Sequence, residues 1–174
     1  MIVVADAGPL ISLAKINGLD ALLQFDTSIL ITPAVYAETV TRGLALGAED
    51  ASRLEAEYKQ GVFEVRPPKL TALPTLVLIG PGEEESIRLA IELHADWLLV
   101  DDLEARRAAE KNFLRAGVST AIQGTLGVIV SAYRKGQLPR SKAIETVEMI
   151  KGRPDIWVSA ELCDQVIHIL QQVS

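Results

Sequence analysis

Apolar runs and amphipathic segments alternate along most of this chain. Residues 2–5 and 97–100 are continuous apolar runs, and residues 28–31 form another strand-like run. A strand that is buried on both faces of a parallel sheet is apolar throughout, whereas a strand with one solvent-exposed face alternates apolar and polar residues. Because segments with helical spacing follow these runs, the pattern predicts an α/β fold with a central parallel sheet flanked by helices.

Capping and breaking residues locate the predicted helices. Thr32 and Pro33 mark a helix start, because threonine caps a helix N-terminus and proline suits the first turn. From about residue 124 onward only helical spacing recurs, which predicts a helical C-terminal extension. The other predicted elements are a helix that follows a turn at Gly8-Pro9 and runs through Ile16, a helix over 48–60, a short strand over 62–65, a surface loop with Pro67, Pro68 and Pro74, a helix over 83–94, a polar helix after Asp102 and a short strand near Val118.

Composition restricts the class of protein. With 174 residues, 49% of them hydrophobic, the chain is long enough for one domain over 1–174 and short for two. No run approaches the roughly 18 uncharged apolar residues of a membrane span, and no signal segment is recognisable, so we expect a cytoplasmic protein. A single cysteine, Cys163, excludes an internal disulfide. The net charge of −6 argues against coating of duplex nucleic acid, and 5% aromatic residues predict no base-stacking platform.

Acidic side chains follow two of the predicted strands. Asp6 comes directly after the first run, and Asp101 and Asp102 come after the run at 97–100. Ligands of open α/β sheets bind beyond the carboxyl ends of the strands, so we expect these acids to open onto one crevice. Glu38 lies on the second predicted helix. Such acids either serve a metal or a proton chemistry, or cap the helices that follow them, and both interpretations are open here.

Three consecutive glutamates, residues 83–85, begin a predicted helix. Negative charge is favourable near a helix N-terminus, which by itself could explain the run. At about 100° per residue, Glu83 falls within the apolar arc of this helix, whereas Glu84 and Glu85 lie nearer the polar side that carries Arg88. Helical geometry therefore predicts that Glu83 points inward.

A set of carboxylates without histidine or thiolate partners suits Mg²⁺ or Mn²⁺, which prefer oxygen ligands. Two such ions about 3.5–4 Å apart can assist in-line hydrolysis of a phosphodiester by activating water and neutralising the leaving oxygen. The candidate chemistry is therefore metal-dependent hydrolysis with metal-activated water as the nucleophile.

Five short motifs resemble those of a branch of the prokaryotic PIN-domain proteins, over nearly the whole chain. They are Asp6-Ala7-Gly8-Pro9-Leu10-Ile11, Thr32-Pro33-Ala34-Val35-Tyr36-Ala37-Glu38, Gly82-Glu83-Glu84-Glu85-Ser86-Ile87, Leu98-Leu99-Val100-Asp101-Asp102 and Gly124-Thr125-Leu126-Gly127-Val128. The resemblance implies a PIN-like three-layer fold and a Mg²⁺- or Mn²⁺-dependent ribonuclease, commonly the toxin half of a toxin–antitoxin pair. It also implies metal-binding carboxylates at Asp6, Glu38, an acid of the 83–85 run and Asp102. The family's spacing leaves Glu85 open beside Glu83, and the neighbouring Asp101 stays a candidate metal ligand.

Two positions depart from the family pattern. Gly8 stands where the family usually carries serine, threonine or asparagine, and Val100 stands where many relatives have a hydroxyl residue. Loss of a supporting hydrogen bond can cost about 10–100-fold in metal affinity or activity. The alternative function is therefore a catalytically weak or inactive PIN-like protein that acts by binding a protein partner. A phosphoaspartate enzyme is a third hypothesis, but such phosphatases need a second aspartate at the position of Gly8.

Arg106 and Arg107 follow Asp102 and are the best candidates for contacts to RNA phosphates. Most of the other basic residues in the second half of the chain are expected on solvated helix faces. The expected partners are thus an RNA substrate and an antitoxin protein. A homodimer is also plausible, since two-fold dimers are the commonest oligomers.

Overall fold

The computed structural model describes residues 1–75 and 78–172. Within them, the strands are β1 (Val3–Ala5), β2 (Ile29–Ile31), β3 (Phe63–Val65), β4 (Trp97–Leu99) and β5 (Ala121–Gln123). These strands are parallel and form one sheet in the order β3-β2-β1-β4-β5. The central strand β1 has no exposed surface, because it is paired on both sides and covered on both faces. The predicted central parallel sheet is confirmed.

Helices connect the strands and continue beyond the last one. The α-helices are α1 (Ala7–Lys15), α2 (Pro33–Tyr36), α3 (Gly43–Ala45), α4 (Glu49–Lys59), α5 (Pro81–Leu93), α6 (Leu103–Ala116), α7 (Thr125–Arg134), α8 (Arg140–Lys151) and α9 (Ala160–Gln172). A 3₁₀ helix (Leu19–Phe25) follows α1, and a π-helical segment (Ala37–Arg42) joins α2 directly to α3. The predicted C-terminal extension is present as α7, α8 and α9. None of the helices in the described part of the chain has the length and apolar character required to span a bilayer.

Two hydrophobic cores lie on opposite faces of the sheet. Successive side chains of a strand point to opposite faces, so Val3 and Ala5 enter one core while Val4 enters the other. The first core includes apolar residues of α1 and of the C-terminal helices α7, α8 and α9, and the second includes those of α5 and α6. The fold therefore has three layers, helices–sheet–helices, as expected. The C-terminal extension belongs to the first helical layer.

Two local predictions are wrong. Gly8 and Pro9 do not form a turn before the first helix, because α1 begins at Ala7 and the first helical turn accepts proline without losing a hydrogen bond. No strand forms at Val118, whose amide donates to the Phe113 carbonyl at 3.1 Å and closes the end of α6. The strand that was expected there, β5, begins three residues later.

Other local predictions are confirmed. Thr32 caps α2, with its hydroxyl oxygen accepting a hydrogen bond from the Val35 amide at 3.3 Å. α4 and β3 lie within one residue of their predicted limits, and α5 begins at Pro81, two residues earlier than predicted. The sheet, the helix starts and the alternation of faces together bring the carboxyl ends of β1 and β4 side by side.

Candidate functional site

Asp6 lies at the carboxyl end of the central strand β1, where the chain turns into α1. Its amide donates to the Leu99 carbonyl at 2.9 Å, which ties this position to the end of β4. Only 6% of Asp6 is exposed, yet its carboxylate makes no side-chain hydrogen bond that caps α1. The structure thus does not use this carboxylate as a conventional helix cap.

The pKa of the Asp6 carboxyl is raised to about 7, mainly by burial. The negative charges of Glu83 and Glu38 contribute to this increase, whereas the amides of Ala7 and Gly8 oppose it. Since desolvation and like charges both oppose ionisation, Asp6 holds a proton near neutrality in the absence of a cation.

Glu38 approaches Asp6 from the π-helical segment. A β-carbon on Gly82 would lie 3.3 Å from Asp6 Oδ1 and 3.4 Å from Glu38 Oε2, so both oxygens border the same small volume. Glycine at position 82 leaves that volume open. π-Helical turns frequently occur at functional sites, where the irregular turn redirects a side chain. Glu38 is itself exposed to solvent.

Glu83 lies in the first turn of α5, immediately after Gly82. Its Oε2 accepts a hydrogen bond from the Gly80 amide at 2.7 Å, which holds the side chain over the start of the helix. Burial raises the pKa of the Glu83 carboxyl, and the charges of Asp102 and Glu38 add to the increase, while the Gly80 amide lowers it. Glu83 therefore links Asp102 electrostatically to Glu38 and Asp6.

Asp102 immediately precedes α6, as its N-cap residue, and is exposed. Its Oδ1 accepts a hydrogen bond from the Ala105 amide at 2.8 Å, so it is a helix cap as well as a neighbour of Glu83. Capping uses one carboxylate oxygen and leaves the other for a ligand.

Asp101 has a different environment from its neighbour. Its two carboxylate oxygens accept from the Thr125 amide at 2.7 Å and from the Thr125 hydroxyl at 2.5 Å. Burial raises the pKa of Asp101, whereas these hydrogen bonds and the positive charge of Arg106 lower it. The carboxylate thereby accepts the hydrogen bonds of the first residue of α7 and joins this helix to the end of β4.

The other glutamates of the 83–85 run also have protein partners. Glu85 Oε2 accepts from the Ala34 amide at 3.0 Å, and its Oε1 lies 3.9 Å from a guanidinium nitrogen of Arg88. Glu84 lies 3.8 Å from the same guanidinium group. Of the three, Glu83 is the one that faces the other candidate acids.

The two candidate arginines point to different surroundings. Arg106 is half-buried near Asp101 and lines a cavity of about 650 Å³ beside the N-terminus of α7. Arg107 is exposed and forms an ion pair with Glu104 at 2.6 Å. Arg106 is thus placed close to the acidic edge of the sheet, whereas the charge of Arg107 is already partnered.

The four acids Asp6, Glu38, Glu83 and Asp102 form one electrostatically coupled set, and none of them takes part in an ion pair among residues 1–75 and 78–172. Within these same ranges, no three histidine, cysteine or acidic side chains are arranged so that they could already hold a metal ion. The arrangement is therefore an uncompensated acidic cluster that a cation would stabilise once the carboxylates moved closer together.

Sequence reasoning missed three contributors to this region. Gly82 and Thr125 occur in the motifs quoted above, but their contacts with the acids depend on how distant segments meet. Trp157 follows α8 and lines a cavity of about 310 Å³ together with Glu38 and Asp101. An isolated tryptophan in an irregular segment has no local pattern that could have identified it.

Comparison with known proteins supplies one match. A family model described as DUF3368, a PIN domain, matches residues 2–172. The matched range includes every strand of the sheet and all four acids of the cluster. No curated protein and no solved structure matches the chain.

Proposed function

The chain belongs to the PIN-domain family, whose members are generally nucleases, and on this premise we propose that it is a Mg²⁺- or Mn²⁺-dependent endoribonuclease. The observation that carries the proposal is the cluster of four coupled acids at the carboxyl edge of the sheet. Such a cluster destabilises the protein by mutual repulsion unless something of opposite charge binds there.

The donor set fits a hard divalent cation in its chemistry. All four side chains offer carboxylate oxygens, and the cluster contains neither histidine nor thiolate, which favours Mg²⁺ or Mn²⁺ over zinc. Asp6, Glu38, Glu83 and Asp102 would hold the ion or ions. Asp101 and Glu85 support the site by fastening α7 and α2, since their oxygens accept hydrogen bonds from backbone amides of these helices.

In the proposed mechanism a bound ion supplies an activated water and neutralises the charge that develops on the leaving oxygen. The chain's own contributions are positional. Arg106 would bind a phosphate of the RNA next to the cluster, and Glu83 is kept in place by the Gly80 amide. Asp6 would exchange its proton for the cation, because a nearby positive charge favours the ionised carboxylate.

The cellular context rests on the resemblance to prokaryotic PIN-domain toxins. We infer that the protein is the toxin half of a toxin–antitoxin pair, acts on cytoplasmic RNA, is restrained by an antitoxin protein and forms a homodimer. Sedimentation of the purified chain tests the dimer, and co-expression with the product of the adjacent gene tests the antitoxin.

The direct test is cleavage of single-stranded RNA by the purified chain in Mn²⁺ or Mg²⁺, compared with EDTA. Cleavage should require the metal and should be lost in Asp6→Asn and Asp102→Asn. Asp26→Asn is the matched control, because it makes the same change of charge at an exposed residue that precedes β2 and whose left-handed backbone (φ 48°) asparagine tolerates. An Asp102→Asn enzyme as fast as the wild type would remove Asp102 from the mechanism.

The second candidate, a PIN-like protein without useful activity, is favoured by Gly8 and Val100. Val100 is buried among apolar residues and brings no hydroxyl to the edge of the sheet. This candidate predicts no RNA cleavage, and calorimetric Mn²⁺ binding that is unaffected by Asp6→Asn. Metal-dependent cleavage by the wild-type chain would exclude it.

A further inference from the structure

Trp157 is a large apolar side chain that the fold leaves outside its core. The residue lies between α8 and α9, and 94% of it is exposed, whereas its neighbour Ile156 is only 6% exposed. Single exposed apolar side chains are common on protein surfaces, so this exposure is informative only through the groups that surround the indole.

The segment that carries Trp157 is fastened to the main domain. Lys15 Nζ donates to the Asp155 carbonyl at 2.9 Å and lies 3.0 Å from Asp155 Oδ2. Arg153 pairs with the same carboxylate at 2.9 Å, and its Nη1 donates to the Lys15 carbonyl at 3.3 Å. Together with the buried Ile156, these contacts hold residues 153–156 against the C-terminal end of α1. A ligand that meets the indole therefore meets a preorganised surface, which lowers the entropic cost of binding.

Trp157 stands where two cavities meet. The cavity of about 310 Å³ includes Glu38 and Gly8, and thus borders the acidic cluster. The cavity of about 650 Å³ includes Arg106 and Arg134. Both cavities are lined by Trp157 and Asp101. Trp157 therefore shares one cavity with Glu38 and the other with Arg106 and Arg134.

These guanidinium groups are suited to an anionic ligand. Neither Arg106 nor Arg134 belongs to an ion pair among the described residues, although the whole chain carries a net charge of −6. The cavity that Arg106 and Arg134 line is otherwise mostly apolar, and the charge of Arg106 also acts on the Asp101 carboxylate. An aromatic face beside positively charged side chains is a combination that binds single-stranded nucleic acid, because bases stack on the ring while phosphates contact the positive charges. A ligand with flat rings and regularly spaced anionic groups could contact both the Trp157 indole and the guanidinium groups of Arg106 and Arg134.

We propose that Trp157 stacks on a base of the RNA substrate next to the cleaved bond, while Arg106 and Arg134 bind phosphates on the far side of that base. This inference rests on the proposed function, since it places the substrate of the same site. Trp157 is a positioning residue in this scheme, because the indole holds the strand and takes no part in bond cleavage. The low aromatic content predicts no extended base-stacking platform, and a single indole accounts for one stacked base only. The C-terminal extension thereby supplies part of the substrate path.

Stacking tolerates every base, so the site predicts no strict sequence requirement at this nucleotide. Purines should be preferred over pyrimidines, because their larger rings cover more of the indole. Loss of the indole should raise KM and leave kcat largely unchanged.

The test measures RNA binding in EDTA, where metal-dependent cleavage cannot occur. Trp97→Phe leaves Trp157 as the only tryptophan of the chain, so its fluorescence reports directly on stacking. Titration with a short mixed-sequence RNA should quench this fluorescence. In an independent assay with labelled RNA, Trp157→Ala should weaken binding by roughly 5- to 150-fold. Trp157→Phe should recover most of the affinity, since it keeps an aromatic face.

RNAs that each lack one base distinguish stacking from a general structural effect. The RNA that lacks the stacked base should bind the wild type more weakly than intact RNA does. Trp157→Ala should bind that RNA and intact RNA equally well. Absence of quenching, or equal affinity of the wild type and Trp157→Ala for intact RNA, would overturn the proposal and leave the indole to a protein partner. Quenching without any metal-dependent cleavage would contradict the proposed nuclease function alone, so the two failures are distinguishable.

Discussion

The backbone amide of Ala34 donates a hydrogen bond to Glu85 Oε2 at 3.0 Å, which joins the first turn of α2 to α5. This contact gives Glu85 a structural role two residues away from Glu83. The neighbouring guanidinium group of Arg88 partners the other oxygen of Glu85, at 3.9 Å. Glu83 has no such cation and faces Asp102 and Glu38 instead. Two glutamates of one run thus have different surroundings, because different groups lie opposite each.

Exchange of each glutamate for glutamine tests this difference. Glu83→Gln should reduce metal-dependent RNA cleavage by more than about 100-fold, because even residues that only support a metal ligand are worth about 10–100-fold. Glu85→Gln should keep most of the activity, because glutamine retains an oxygen that can accept the hydrogen bond of the Ala34 amide. It should lower the free energy of unfolding by up to about 1 kcal/mol, through loss of a partly exposed ion pair with Arg88. Initial cleavage rates and urea denaturation measure the two effects. The reverse pattern of activities would assign the metal to Glu85.

The pKa of Asp6 predicts how stability depends on pH in the metal-free protein. The carboxyl has a pKa of 3.8 when unfolded and about 7 when folded, so the folded state binds the proton more tightly. Stability should therefore be greatest below about pH 4 as far as this group is concerned, and should fall as the pH rises to about 7. The loss could reach about 4 kcal/mol, at about 1.4 kcal/mol per pKa unit.

Urea denaturation in EDTA over a series of pH values measures this loss. Asp6→Asn is the comparison, because its amide does not titrate, and the difference between the two proteins isolates Asp6 from the other acids. Mn²⁺ added at pH 8 should restore stability to the wild type and not to Asp6→Asn. If the stability of the wild type and that of Asp6→Asn had the same dependence on pH, the raised pKa of Asp6 would be contradicted.

Gly82 is predicted to be required for the approach of two carboxylates. In Gly82→Ala the new methyl group would stand 3.3 Å from Asp6 Oδ1 and 3.4 Å from Glu38 Oε2, so these oxygens must move. We expect Mn²⁺ affinity, measured by titration calorimetry, to fall by about 10-fold or more, as for other changes in the surroundings of metal ligands. Gly152→Ala, which adds a methyl group near the Glu148 carbonyl at the end of α8, should bind Mn²⁺ like the wild type. Equal affinity in both variants would argue against a shared ion at Asp6 and Glu38.

Arg106 and Arg107 form a matched pair for the RNA contact. Arg106→Ala should raise KM for RNA several-fold and reduce the salt dependence of binding, because one phosphate contact is lost. Arg107→Ala should change KM little, since its guanidinium group already pairs with Glu104 at 2.6 Å. Steady-state cleavage at two salt concentrations gives both quantities. Equal effects of the two substitutions would indicate that positive charge attracts RNA at long range, and that Arg106 makes no specific phosphate contact.

Gly8 offers a gain-of-function test. A β-carbon at this position would lie 3.5 Å from Asp101 Cβ and 3.7 Å from Asp101 Oδ2, which is ordinary contact distance, so serine fits. If the hydroxyl group common in the family supports the metal site, Gly8→Ser should increase metal affinity or cleavage by up to about 10–100-fold. Gly8→Ala is the control that adds the methyl group without the hydroxyl. A Gly8→Ser protein no better than Gly8→Ala would show that this chain does not need the hydroxyl.

Much of the fold could be predicted from the sequence because its signals are local. Continuous apolar runs identified β1 and β4, and Thr32 with Pro33 identified the start of α2. The errors occurred where two local interpretations compete. Gly8-Pro9 suits a turn as well as a first helical turn, and the adjacent carboxyl end of β1 decides for the helix. Val118 suits a strand, but its amide completes the end of α6.

Local patterns in the sequence are enough to predict a parallel sheet between helical layers, with acids at the carboxyl edge, because periodicity and capping depend on residues close in the chain. Which of these acids lack a hydrogen-bonding or cationic partner depends on tertiary contacts. Asp101 is engaged by Thr125 and Glu85 by Ala34, 24 and 51 positions away in the chain. Likewise, the segment that carries Trp157 lies beside Glu38 and Asp101 where Lys15 binds Asp155, 140 positions away in the chain. The energy of a carboxylate depends on its solvation and on nearby charges, and both are set by segments that only folding brings together.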